Sequence, residues 1–337
     1  MNRDVSHSAG NGFRQWFGIG LLILFQIAWG QTQMDEKIII AHRGASGYLP
    51  EHTIESKALA YGMGADFIEQ DLVLSKDDIP IVLHDIHLDE VTDVAEVFPD
   101  RAREDGRYYA IDFTYSEIRK LKAHERIDRD SGKRVYPGRF PLKSGSFRLH
   151  SLREEIELIQ GLNESTGKTV GIYPEIKNPG FHRKEGKDIS PIVLGILKEY
   201  GYQTKADPCI LQCFDAWELR RIRVDLGSRL FLTQLLEKRS ELDEIQAYAA
   251  YADAIGPWYG LLINGIGLQG NLTFSDAVEI AHRNGLKVHP YTYRKDDHKG
   301  FATFEELLRV SFDELGVDGV FTDFPDLVSK YLEKVRH

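Results

Sequence analysis

The sequence predicts an α/β protein built as a closed TIM-type (β/α)8 barrel, with a subdomain inserted after a β-hairpin that follows the second strand. Two observations carry this. Short β-branched runs alternate with amphipathic segments, as parallel strands joined by helices do. The polar residues of those runs gather at their C-terminal ends, the face on which TIM barrels hold their sites.

Eight runs qualify as barrel strands, matching the eight a closed barrel needs: 37–42 (KIIIAH), 67–72 (FIEQDL), 170–177 (VGIYPEIK), 209–214 (CILQCF), 229–235 (RLFLTQL), 252–257 (ADAIGP), 286–293 (LKVHPYTY) and 319–325 (GVFTDFP). Helix patterns fall between them, from Thr53 to Met63, Ser151 to Leu162, Ser190 to Tyr200, Asp215 to Asp225, Ser275 to Asn284 and Phe304 to Leu315. Several open on Thr, Ser or Asp, whose side chains accept from the orphan amides of a first turn. A doubly wound open sheet shows the same alternation, so the strand count and the polar strand ends decide for the barrel. It is assigned to residues 37–85 and 151–333.

With 337 residues, 42% hydrophobic content and ordinary Gly and Pro usage, the chain is neither disordered nor fibrous. Its net charge of −10 argues against nucleic acid as a partner. Arg3 and Arg14 precede an apolar run from Trp16 to Trp29, and small residues flank Trp29 at Ala28 and Gly30. This pattern predicts a signal peptide over residues 1–30, cleaved after Gly30, and an exported, periplasmic mature chain without stable membrane insertion. An uncleaved anchor is the alternative, but the run is short against the roughly 20 residues a span needs. Cys209 and Cys213 on one strand would stand about 13 Å apart at ~3.3 Å per residue, too far for a disulfide, so both are expected as buried thiols.

His42, Glu69 with Asp71, Glu175 with Lys177, Phe214, Tyr291 and Asp323 all sit at or near strand C-termini. Side chains alternate along a strand, so Glu69 and Asp71 point one way together, as do Glu175 and Lys177. A further run, 80–85 (PIVLHD), follows too closely to be a parallel neighbour and must return as a hairpin. A turn centred in Lys76-Asp77-Asp78-Ile79 would set His84 beside Asp71. Residues 86–150 then show no barrel pattern and are expected to form an insertion near the mouth that shapes the pocket.

The motifs at 42–53 (HRGASGYLPEHT), 69–71 (EQD), 84–85 (HD), 174–177 (PEIK), LQCFD, VHPYT and GVFTDFPD together resemble the glycerophosphodiester phosphodiesterase family, closest to its bacterial periplasmic branch. The resemblance runs from about residue 37 to the end. It implies hydrolysis of glycerophosphocholine, glycerophosphoethanolamine and similar diesters to sn-glycerol 3-phosphate and an alcohol. His at position 52, Cys213 and Tyr291 replace the Asn, Ser and Trp of many cytoplasmic relatives.

The residues themselves support those roles. Glu69, Asp71 and Glu175 aimed at one mouth would repel one another unless a cation sits among them, and all-oxygen ligands favour a hard divalent ion, Ca2+ or Mg2+. The resemblance tips this to Ca2+. Arg43 and Lys177 suit phosphate, His42 and His84 suit general acid and base work, and Phe214 and Tyr291 would wall the glycerol or head group. Two rival functions are a phospholipase C-like or sphingomyelinase D-like lyase forming a cyclic phosphate, and a catalytically silent exported binding protein. Glu51 is expected to brace the loop after His42, Asp85 to point away from His84, His289 to fill the barrel, and Asp323 to cap the last helix.

Overall fold

The computed structural model describes residues 37–142, 144–266 and 271–336. The predicted signal peptide over 1–30 lies outside them. Eleven strands occur among the described residues: β1 (Ile38–Ala41), β2 (Phe67–Leu74), β3 (Pro80–Val82), β4 (Gly171–Ile176), β5 (Ile210–Cys213), β6 (Phe231–Leu236), β7 (Ala254–Pro257), β8 (Ile263–Ile266), β9 (Leu272–Phe274), β10 (Lys287–Val288) and β11 (Gly319–Thr322). Eight of them run parallel in the order β10-β7-β6-β5-β4-β2-β1-β11, and these are the eight runs expected from the sequence. The two ends meet through Asp318 N donating to Val288 O (2.9 Å), Phe321 N to Pro290 O (3.0 Å) and Tyr293 N to Phe321 O (2.8 Å), which closes the barrel.

The helices form where the capping residues predict. Thr53 accepts from Ser56 N, Asp215 from Glu218 N and Thr303 from Glu306 N, while Ser151 and Glu154 make a reciprocal capping box. The helix from Phe304 ends at Arg309 and continues as a π-turn over Val310–Glu314.

Alternation sorts each strand between two environments. Ile68 and Leu72 of β2, Ile172 and Ile176 of β4 and Leu211 of β5 face the helices and join the main core. The opposite faces fill the barrel floor, where Ile38, Ile40, Phe67, Tyr173, Ile210, Phe231 and Phe321 pack together. Above this apolar floor the same faces turn polar. His289 stays in the floor, as expected, held by Tyr173 Oη at 3.0 Å from its Nδ1.

The hairpin forms with a register one residue different from the expected one. Leu72 pairs with Val82 and Val73 with Ile81, and Leu83 N donates to Asp71 O, so Leu83 rather than His84 lies opposite Asp71. The cause is a three-residue loop, Lys76 to Asp78, closed by Ser75. Its backbone N–H bonds Ile79 O (3.0 Å), its hydroxyl accepts from Ile79 N (2.9 Å), and Asp78 takes the left-handed φ of 60° that such loops favour. His84 therefore leaves the ladder and reaches the mouth from the chain after β3.

Residues 86–150 belong to the same compact unit as the barrel, Lys37–His337. They build a second core with Leu88, Val91, Val94, Phe113, Ile118, Leu121 and Leu149 against Val73, Ile81 and Leu83 of the hairpin. The hairpin is thus buried on both faces. Both cysteines are free and buried.

Gly171 has no room for a side chain: a Cβ there would meet the Phe67 ring at 2.3 Å and Pro208 O at 2.8 Å. Gly171→Ala should destabilise the protein by about 1–3 kcal/mol through overpacking of the barrel floor, read as a lower denaturant midpoint at unchanged slope.

Candidate active site

Above the apolar floor lies a cavity of about 170 Å³ lined by His42, Arg43, Glu69, Asp71, His84, Glu175, Lys177, Gln212, Phe214, Trp258, Tyr291 and Arg294, among others. It contains all nine residues to which the sequence gave proton-transfer, metal-holding or substrate roles. A larger space of about 850 Å³ adjoins it past His84, Glu175, Lys177, Phe214 and Tyr291. Phe214 and Tyr291 stand edge to face between the two, with ring centroids 5.7 Å apart.

His42 extends β1 by one ladder bond, its N donating to Thr322 O at 2.9 Å. Its Nδ1 lies 2.6 Å from Asp323 Oδ1. Burial alone would raise the Asp323 pKa, but Arg294, His42 and Arg139 hold it well below the usual carboxylate range. An ionised carboxylate only accepts, so His42 Nδ1 donates and Nε2 is left as the free base. Asp323 was expected as a helix cap and is instead the partner of His42. His84 repeats the arrangement, with Nδ1 3.0 Å from Asp85 Oδ1. Asp85 does not point away from His84, because strand geometry has ended at Val82. Burial and the positive charge of Arg43 lower both histidines to about 4, with Lys177 adding to the effect on His84.

The loop after β1 is shaped by a close approach to the helix Ile54–Gly62. Gly44 has φ 87°, and a Cβ there would fall 2.2 Å from Ser56 Oγ. Arg43, at φ 58°, donates its backbone N–H to Glu69 Oε2 at 2.6 Å. Its guanidinium reaches Glu51 Oε2 at 3.0 Å and Asp71 Oδ2 at 3.5 Å, so Glu51, expected to brace the loop after His42, holds the Arg43 side chain of that loop.

Parallel register sets Asp71 beside Glu175. Lys177 Nζ bridges them, 2.8 Å from Glu175 Oε1 and 3.6 Å from Asp71 Oδ1. Burial would raise Asp71, but Lys177, His84 and His52 keep it low. Glu69 and Glu175 behave oppositely: burial, reinforced by Asp71, drives Glu69 well above the usual range and Glu175 up to about 8. Carboxylates crowded in a buried mouth, two of them pushed toward protonation, form a donor set that fits a hard divalent cation. His52, Glu69 and Asp71 offer ligand atoms within 4.8 Å of one another. However, His52 Nε2 is already 2.8 Å from Asp71 Oδ2, and its ring does not line the cavity, so His52 orients Asp71. Glu175 faces the cavity with the other two carboxylates.

Sequence reasoning missed Asp85 and Asp323 as histidine partners, and Arg294, which lines the cavity and donates to Asp323 at 2.7 Å. One signal for Asp323 was present. Gly319, Phe321 and Asp323 share a parity, and closure of a barrel places the last strand beside the first.

The raised carboxyls carry a pH signature. A folded pKa above the ordinary 4.5 gives stability that is full below 4.5 and lost as pH rises through about 8. A divalent ion held there would replace those protons, so adding one should raise the metal-free protein's unfolding temperature more at pH 8 than at pH 5. Equal shifts at both pH values would contradict this.

Residues 42–327 match the model of the Glycerophosphoryl diester phosphodiesterase family. A glycerophosphodiester phosphodiesterase of Haemophilus influenzae is 45% identical over 336 residues, covering 90% of this chain and 92% of its own. One from Treponema pallidum is 41% identical, covering 89% and 92%. The fold agrees with that of a putative glycerophosphoryl diester phosphodiesterase of Silicibacter pomeroyi, at TM-score 0.70 and 23% identity over 90% of this chain and 95% of that one. It also agrees with an Oleispira antarctica phosphodiesterase solved with its product sn-glycerol-3-phosphate, at TM-score 0.61 and 20% identity over 88% and 96%. Two histidine–carboxylate pairs facing an acidic mouth on a closed barrel, together with this similarity over nine-tenths of its length, mean that the chain belongs to the glycerophosphoryl diester phosphodiesterase family.

Proposed function

We propose that the chain hydrolyses glycerophosphodiesters, such as glycerophosphocholine and glycerophosphoethanolamine, to sn-glycerol 3-phosphate and an alcohol. The observation that carries this is the convergence of His42 and His84, each backed by a carboxylate, on the cavity that also holds Glu69, Asp71, Glu175, Arg43 and Lys177.

Glu69, Asp71 and Glu175 would hold a divalent cation, which supplies Lewis-acid neutralisation of the phosphate oxygens when bound. Calcium is the favoured ion, since the donors are carboxylates and the motifs resemble those of the periplasmic branch; magnesium is the alternative. Arg43 presents its guanidinium to the phosphate, and Lys177 adds a point charge from the other side. A neutral histidine Nε2 takes the proton of the attacking hydroxyl. The other histidine gives a proton to the departing alcohol oxygen as its bond to phosphorus breaks. A phosphodiester anion beside that second imidazole restores the charge that burial removes from it. The glycerol side fits the cavity over Phe321 and Leu235, and the alcohol faces the larger space past Phe214 and Tyr291.

The N-terminal charge and hydropathy pattern supports export to the periplasm, with signal cleavage after Gly30. Among the described residues no helix is long and apolar enough to cross a membrane. N-terminal sequencing of the mature protein should start at residue 31, and an intact Met1 would contradict cleavage.

Purified protein with glycerophosphocholine should release glycerol 3-phosphate with calcium and none with chelator. His42→Ala and Glu69→Ala should each lower kcat by roughly 10²–10⁴-fold with an unchanged circular dichroism spectrum. Wild-type protein inactive under calcium, or variants at full rate, would overturn the assignment. Phosphorus NMR separates the nucleophiles: the glycerol 2-hydroxyl requires a transient cyclic phosphate, and water gives none.

A further inference from the structure

We propose that the insertion positions both histidine–carboxylate pairs through two largely buried arginines, Arg126 and Arg139, and that these are positioning residues of the reaction. The proposal rests on the functional reading above.

Neither arginine lines the cavity, and their side chains are only 13% and 5% exposed. Arg126 NH1 donates to Asp85 Oδ2 at 2.6 Å, while His84 takes the other oxygen, Oδ1. Arg139 NH2 donates to Asp323 Oδ2 at 2.7 Å, while His42 takes Oδ1. Each carboxylate is thus pinned at both oxygens, one by an arginine of the insertion and one by a histidine of the mouth. A carboxylate held at one oxygen only can rotate about its Cβ–Cγ bond and swing the ring it orients; one held at both cannot. Geometry of this kind fixes imidazole direction and tautomer, as outer partners do for metal-bound histidines.

Arg126 reaches further. Its NH2 and Nε donate to Glu51 at 2.6 and 3.1 Å, and Glu51 Oε2 accepts from Arg43 NH1 at 3.0 Å. One planar fork therefore sets His84 through Asp85 and Arg43 through Glu51, which a lysine point charge cannot do at once. Arg139 is shared in a different way. It also binds Asp296 at 2.9 Å and the carbonyl of Ser46 at 3.3 Å, and Arg294 holds the same Asp323 oxygen. Asp85 Oδ2 has no partner but Arg126 among the described residues, so loss of Arg126 should be felt more than loss of Arg139.

The test uses the full-length mature protein with calcium and glycerophosphocholine. Arg126→Gln should lower kcat by roughly 10–100-fold with KM changed less than threefold, and Arg139→Gln should lower it less. Arg126→Lys, which keeps the charge, should remain impaired. If Arg126 acts through Asp85, the double variant Arg126→Gln/Asp85→Asn should be no slower than the worse single one. Nitrogen-15 spectra of the imidazoles supply a readout independent of turnover: wild-type His84 should show a single Nδ1–H tautomer, and Arg126→Gln or Arg126→Lys a mixture. Wild-type kcat in both Arg126 variants, multiplicative losses in the double variant, or an unchanged tautomer would overturn the proposal. A wild-type protein inactive on this substrate would instead overturn the functional reading and leave the tautomer to decide this one.

Discussion

The site depends on one electrostatic constraint: three carboxylates, Glu69, Asp71 and Glu175, are buried within one small mouth. Two cationic side chains, Arg43 and the buried Lys177, lie among them, and the balance still fails. Asp71 stays ionised because Lys177, His84 and His52 surround it, while Glu69 and Glu175 are driven toward protonation. A divalent ion bound among these acids would displace the protons that burial favours on Glu69 and Glu175. Ile40, Tyr173 and Phe321 beneath the acids supply the apolar packing that keeps the strand ends fixed.

That constraint explains the outer parts of the molecule. Histidines beside arginine and lysine would turn or titrate unless held, and each is held by an ionised aspartate. The aspartates need counter-charges of their own. Arg294 comes from the chain after β10, but Arg126 and Arg139 come from the insertion. The double-faced burial of the hairpin, with Val73 and Ile81 under the insertion and Leu72 and Val82 under the barrel core, ties those arginines to the strand that carries Glu69 and Asp71. The insertion therefore supplies a counter-charge to each histidine's aspartate.

Much of this was legible in the sequence because barrels obey a period of two. The eight strands, the shared direction of Glu69 and Asp71, and the capping residues at Thr53, Ser151 and Asp215 follow from local rules. The hairpin register was not legible, because a three-residue and a four-residue loop around Asp77 differ only in how Ser75 and Asp78 bond locally. Asp323 was misread for want of the closing neighbour, since only pairing β11 with β1 brings it to His42. Asp85 was misread because strand alternation was extended past Val82. The arginines of the insertion could not be assigned from pattern, as their partners Asp85 and Asp323 lie 41 and 184 residues away.

A divalent ion bound at the mouth would take the place of protons on the buried Glu69 and Glu175. Calorimetric titration of calcium into the chelated protein at pH 7, repeated in buffers of different ionisation enthalpy, measures both together. One ion bound per chain with net release of protons, the release falling in Glu175→Gln, is the expected result. Calcium binding without proton release, or no binding, would contradict an exchange of protons for the ion.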